Sequence, residues 1–474
     1  MLAGCVEFTC RVLLDCGICL HMLRRLFFLV LIFFPVAAAS PAQTLAPTPP
    51  MGWNSWDAYG FTIDEVGYME NVLALASLKQ YGWQYAVIDE GWYMQNPLGD
   101  KLETRKYVLN ANGLLIPDKN RFTSAANGAG FRPLSTFVHG KGLKFGIHIV
   151  RGIPKQAVRD NLPIEGSSFH AADAADTTDL CPWDDGNYGV RDTPAGQAYY
   201  DSMMRLYASW GVDYVKVDCI AAHPYLPQEI RMISDAIKKT GRAMVLSLSP
   251  GPAPIERGDE ISGLAQMWRI SDDHWDGWTF PHTPGSDFPS GVLQAFGKLG
   301  EWQTYAKPGS WPDADMLPWG ELRPHPGWGE PRHTRLTEEE QKTEFTLWAI
   351  ARSPLIVGAN LTMLDDYSKS LMTNKDLISL NQNARIALQV DLPREFNPVR
   401  VWESQIDFQN HSRTYFAFFN LGDKPMTVHA TWAQLGFPGK HTARNIWDGS
   451  KMKPADSIEI TLAAHASALY EAMY

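Results

Sequence analysis

Acidic residues crowd the ends of short apolar runs in this sequence. The run Tyr85-Ala86-Val87-Ile88 leads into Asp89-Glu90-Gly91-Trp92-Tyr93. Three further runs end in Lys216-Val217-Asp218-Cys219, in Trp268-Arg269-Ile270-Ser271-Asp272-Asp273 and in Trp311-Pro312-Asp313-Ala314-Asp315-Met316. A cup of carboxylates with one Lys, one Arg and several Trp suits two chemistries. One is recognition of a polyol or sugar, where two acids flanking a glycosidic bond divide the work: one is nucleophile or base, the other donates a proton to the leaving oxygen. The other is a hard-cation site for Mg²⁺ or Mn²⁺. Lys216 and Arg269 argue against the metal, because fixed cations compete with it. For any single Asp, a solvated loop charge or a helix cap is the default explanation, but four clusters at four run ends argue against that default.

Elements must bring these ends together. Eight β-rich runs recur: Met51–Trp56, Tyr85–Asp89, Lys144–Val150, Val212–Asp218, Met244–Ser249, Met267–Ser271, Ser310–Met316 and Pro354–Val357. Several are almost continuously apolar, as strands buried on both faces are. Helical spacing of apolar residues marks Asp64–Gln80, Ala195–Trp210, Gln228–Lys239 and Leu336–Arg352, the last opening with an N-cap and acidic first turn at Thr337-Glu338-Glu339-Glu340. Strands alternating with helices predict an α/β fold, a (β/α)8 barrel over residues 45–388, with chemistry at the C-terminal strand ends. A doubly wound open sheet competes, but no GxGxxG follows the first strand. From 389 to 474, short alternating strands separated by turn residues predict an antiparallel β-sandwich.

Composition narrows the function classes. The 474 residues carry a net charge of −10, which disfavours a nucleic-acid partner. With 17 Trp, 17 Tyr and 21 Phe, aromatic faces are available for sugar rings as well as for the core. Arg24 and Arg25, the apolar run Leu26–Val36 and the small residues after it read as an export signal over residues 1–42, with 1–21 an upstream extension and Met22 the start. The run is short for a membrane span, so the expectation is export to periplasm or medium without a stable membrane anchor; an uncleaved anchor is the alternative. Beyond the signal only Cys181 and Cys219 remain, a disulfide candidate in an exported protein or else two buried thiols. No CxxC or His-rich cluster suggests structural zinc.

Eight segments carry a family resemblance: TPPMGWNSWDAYG (48–60), YAVIDEGWY (85–93), GLKFGIH (142–148), DYVKVDC (213–219), MWRISDD (267–273), WPDADML (311–317), SPLIVGANL (353–361) and ISLNQN (378–383). Together they resemble glycoside hydrolase family 27, the α-galactosidase and α-N-acetylgalactosaminidase family. The resemblance implies a retaining exo-glycosidase without a cofactor or metal, releasing terminal α-D-galactosyl groups from oligosaccharides or polysaccharide side chains. It implies Asp218 as nucleophile and Asp273 as acid/base, with Asp272 the adjacent alternative. It also implies Trp56 as an apolar wall, Asp89 and Glu90 as acceptors near C4 to C6, Lys216 and Arg269 as donors to ring hydroxyls, and Asp315 as a pocket acid.

Departures from the family pattern are as informative. Where the family has two consecutive Asp, this chain has Asp89-Glu90. The added methylene would crowd the hydroxymethyl group of galactose, and β-L-arabinopyranose is the same ring without that group. β-L-arabinopyranosidase activity is therefore the rival specificity. Leu248-Ser249-Pro250-Gly251-Pro252 replaces the segment that reads the C2 substituent, leaving Ser249 as the obvious hydroxyl there. His148 stands where a Tyr is frequent and is expected to be a hydrogen-bonded structural group. A long segment from Arg151 to Cys181 is expected to build a pocket wall, and a Cys181–Cys219 bridge would pin it beside the nucleophile. Two readings of other classes are a non-catalytic sugar-binding barrel and a metal-dependent isomerase or lyase.

Overall fold

The computed structural model describes residues 44–97, 105–281, 288–322, 330–408 and 411–473. The export signal expected over residues 1–42 lies outside them. Among the described residues no helix is long and apolar enough to cross a membrane.

All eight expected barrel strands form: β1 (Met51–Asn54), β2 (Tyr85–Ile88), β3 (Lys144–Val150), β4 (Tyr214–Asp218), β5 (Val245–Leu248), β6 (Met267–Arg269), β7 (Trp311–Asp313) and β8 (Leu355–Val357). They pair in parallel around the sheet in chain order, with β1 also beside β8. A parallel bridge between Leu317 and Val357 closes the ring between β7 and β8. β3 has the expected bounds; the other strands are shorter by one to four residues, β4 and β8 at their starts and β1, β2 and β6 at their ends.

Alternation along the strands builds two cores. Tyr85 and Val87 join Tyr214, Val245, Met267, Trp311 and Ile356 inside the ring. Ala86 and Ile88 point the other way, into the larger core beneath the helices. Side-chain caps mark the starts of three of those helices. Asp64 accepts from Gly67 N–H at the head of α1 (Glu65–Leu78). Thr193 caps α2 (Pro194–Trp210), which ends at Gly211 in the left-handed region. After α3 (Pro227–Thr240), Thr337 and Glu340 form a reciprocal capping box at α4 (Glu338–Ala351).

The segment after β3 carries a small antiparallel sheet of Ile153–Pro154, Ala175–Leu180 and Asn187–Val190, and so runs past the expected end at Cys181. A disulfide joins Cys181 to Cys219, as the residue pattern suggested. Arg151 is buried at the root of this segment. It reaches Asp179 at 2.7 Å, Glu229 of α3 at 3.0 Å and the Cys219 carbonyl at 2.8 Å.

The C-terminal region is the expected antiparallel sandwich. A six-stranded sheet runs Ala384–Val390, Val399–Phe408, His411–Asn420, Ser467–Met473, His441–Asn445 and Lys451–Ala455, and a second sheet pairs Met426–Thr431 with Ser457–Leu462. The strands Ala384–Val390 and Lys451–Ala455 escape the sequence reading because they are edges with few buried side chains. The first of them straddles the division expected between 388 and 389.

Candidate active site

A cavity of about 460 Å³ opens at the C-terminal ends of the barrel strands, within the range of small-ligand sites. Asp89 and Glu90 follow β2, Asp218 ends β4, and Asp272 and Asp273 follow β6. Lys216, Ser249 and Trp56 also line it. A close crossing brings the turn after β5 to this wall: a Cβ on Gly251 would fall 2.4 Å from the Ser271 carbonyl oxygen, so only glycine lets Ser249 and Pro250 stand beside the segment carrying Asp272 and Asp273.

Asp218 is held as an anion. Its Oδ1 accepts from Cys219 N–H at 2.5 Å, and His148 Nε2 lies 3.4 Å from Oδ2. Burial pushes this carboxyl up, but His148, Lys216 and the Cys219 N–H together bring it below its ordinary value. Asp273 goes the opposite way. Burial raises it most, Arg269 at 3.3 Å pulls it down, and Asp315 and Asp218 push it up, leaving it at about 6. Two acids in one cup are thus shifted in opposite directions, which is how paired carboxyls divide nucleophilic and acid roles. Asp272, the adjacent alternative, is turned toward His223 Nε2 at 3.2 Å.

Asp89 is the hub of the polar floor. It accepts from Asn54 at 2.6 Å and from Lys216 Nζ at 3.0 Å, and its backbone N–H reaches Ser55 Oγ at 2.9 Å. Burial opposes its charge, but His148, Lys216 and these donors hold it well below the usual carboxylate range. Arg269 and Asp315 do not line the cavity. They pair at 2.8 Å behind it, and Asp315 also accepts from His274 N–H at 2.8 Å. Arg269 also reaches Asp273 at 3.3 Å and so is positioned to orient it.

The sequence reading did not identify Asp184, Trp183, Arg105, Phe61, His223 or Phe288, all of which line the cavity. Asp184 is fully enclosed and bonded to Arg105 at 3.0 Å and to Tyr107 OH at 2.9 Å. Arg105 lies over the Phe61 ring, which meets Trp56 edge-on at 5.1 Å. His148, expected to be a hydrogen-bonded group, sits between Asp218 and Asp89, 3.9 Å from the latter.

Comparison with known proteins agrees with this geometry. Residues 181–383 match the family described as alpha galactosidase A, and residues 397–472 match the alpha galactosidase C-terminal β-sandwich domain. Alpha-galactosidase A of Cellvibrio japonicus is 29% identical over 449 residues, covering 90% of this chain and 93% of that protein. An alpha-galactosidase of Oryza sativa is 26% identical, over 90% of this chain and 85% of its own length. A crystal structure of a GH27 β-L-arabinopyranosidase from Geobacillus stearothermophilus is 39% identical, with a TM-score of 0.83, and covers 90% of this chain and 97% of that one. The chain belongs to glycoside hydrolase family 27.

This family 27 glycoside hydrolase has one trio among its described residues whose ligand atoms could surround a cation: Glu90, His148 and Asp218, within 4.8 Å of one another. Lys216 and Arg105 already answer those acids, with Arg105 3.9 Å from Glu90. The donor set fits a sugar better than a hard cation, which prefers an oxygen shell free of competing cations.

Proposed function

We propose that this hydrolase is an exported, retaining exo-glycosidase that removes terminal β-L-arabinopyranosyl groups. In the first step Asp218 attacks the anomeric carbon while Asp273 transfers its proton to the departing glycosidic oxygen. A glycosyl ester on Asp218 results and the aglycone leaves as an alcohol. In the second step Asp273, now ionised, takes a proton from water as the water oxygen attacks the same carbon, and Asp218 is released. Lys216 and Asp89 bind hydroxyls on the floor, Ser249 faces C2, and Trp56 covers an apolar edge of the ring.

The observation that carries the pentose reading is the filling around Glu90. Its carboxyl is buried in the pocket wall and backed by Asp184 and Arg105, so it has little room to withdraw from a hydroxymethyl group. The named activity of the 39% identical structure supports the same reading. Release of α-D-galactosyl groups is the second reading, favoured by the names of the relatives at 26–29% identity.

Hydrolysis of p-nitrophenyl β-L-arabinopyranoside and p-nitrophenyl α-D-galactopyranoside, measured side by side, separates them. One misplaced carbon is worth about 1–3 kcal/mol in a tight pocket, so kcat/KM is expected to favour the arabinoside by roughly 10–200-fold. The Asp218→Ala variant is expected to cleave neither. Preference for the galactoside would overturn the pentose reading.

A further inference from the structure

We propose that Asp184, carried on the segment inserted after β3, is a specificity-determining residue: it pins Glu90 against the pocket so that the pair, not Glu90 alone, excludes a C5 substituent. This rests on the pentose reading of the pocket. It goes further by assigning the selectivity to a contact between two distant stretches of chain.

The argument begins with reach. A glutamate side chain has three rotatable bonds, and an unrestrained carboxyl could swing aside for a larger sugar. Glu90 is restrained. Arg105 Nη1, bonded to Asp184 at 3.0 Å, stands 3.9 Å from Glu90 Oε1, and Glu90 and Asp184 line the same wall of the cavity. Asp184 is itself immobile. It accepts from Arg105 at 3.0 Å, from Tyr107 OH at 2.9 and 3.3 Å, and from Gly186 N–H at 2.9 Å. Those partners are all donors, so Asp184 is held as their acceptor. Burial and the Asp184 charge favour the protonated form of Glu90.

The pin is anchored at both ends. Cys181, just before Asp184, is bonded to Cys219, the residue after Asp218. Arg105 is stacked 4.6 Å over the Phe61 ring. A galactoside would have to displace a held Glu90 and break its contact with Asp184, leaving a buried acid without its partner.

The test is a double-mutant cycle read as the ratio of kcat/KM for the two p-nitrophenyl glycosides. Asp184→Asn is expected to reduce the arabinoside preference about tenfold, and Tyr107→Phe, which removes one bond to Asp184 from outside the cavity, by about threefold. Glu90→Asp should also lower it, and Glu90→Asp/Asp184→Asn no further than Glu90→Asp alone, since coupled residues do not add. Thermal melting identifies any variant that fails to fold, and Tyr107→Phe then carries the test. If Asp184→Asn and Tyr107→Phe lower both substrates equally, or the two positions add independently, Asp184 is merely structural and the inference falls. A parent enzyme that prefers the galactoside instead overturns the pentose reading, and the coupling between positions 90 and 184 is still read from the cycle.

Discussion

Asp218 and Asp273 have the same side chain, and their surroundings set them apart. His148, Lys216 and a backbone N–H favour the charged form of Asp218, whereas Asp273 shares Arg269 with Asp315. The acid must be protonated to work and sits at about 6, so kcat/KM is expected to fall as pH rises through about 6. The nucleophile must be ionised and is held below its ordinary value, so the acid limb lies below that of a free carboxyl. Rate profiles of Asp273→Asn should lack the alkaline limb; an unchanged limb would assign it to another group. At this scale the motifs were legible because Lys216-Val217-Asp218 and Arg269 to Asp273 are local in sequence. Asp184 and Arg105 were not, because each acts through a partner far away in the chain and sits in no recognisable motif. Arg269 and Asp315 fall in the expected cluster, paired with each other at 2.8 Å, a contact that strand-end motifs alone do not reveal.

The elements follow from patterns of different strength. Barrel strands such as Tyr85–Ile88 are wholly buried and read clearly as apolar runs. The small sheet after β3 does not: Ala175-Asp176-Thr177-Thr178-Asp179-Leu180 is mostly polar and partly exposed, and its order comes from the disulfide and Arg151. Arg151 is therefore the brace between this segment, α3 and the turn that presents Asp218. Breaking a buried ion pair from one side costs about 3–5 kcal/mol, because the remaining charge is stranded. Arg151→Ala is expected to lose stability of that order in urea unfolding and to lower kcat. A change under about 1 kcal/mol would show that Glu229 and Asp179 find other partners.

For the whole molecule, the sandwich is built into the barrel. Trp402, Ile406, Tyr415, Ala417, Phe419 and Leu469 belong to the same core cluster as the barrel helices, while Val401, Phe416 and Phe418 face the sandwich interior. Polar ties reinforce the junction: Thr343 of α4 donates to the His465 carbonyl at 2.7 Å, and His465 meets Glu340 at 2.8 Å and stacks on Trp278. A chain ending near residue 390 would expose this apolar face, so it is expected to be insoluble or inactive when expressed. A soluble barrel with parental kcat/KM would show the sandwich to be a separable module. The presence of this domain was legible from its alternating strands and turns, but its attachment was not, because a strand buried on both faces reads only as an apolar run.

The central claim is a covalent displacement at Asp218 with Asp273 as acid/base. It is tested most directly by mass spectrometry of the enzyme after brief exposure to a 2-deoxy-2-fluoro glycosyl fluoride, whose glycosyl ester turns over slowly. The account predicts one added glycosyl mass, located by proteolysis on the peptide containing Asp218 and absent from Asp218→Ala. A label on another carboxylate, or no label together with release of the inverted anomer from substrate, would contradict it.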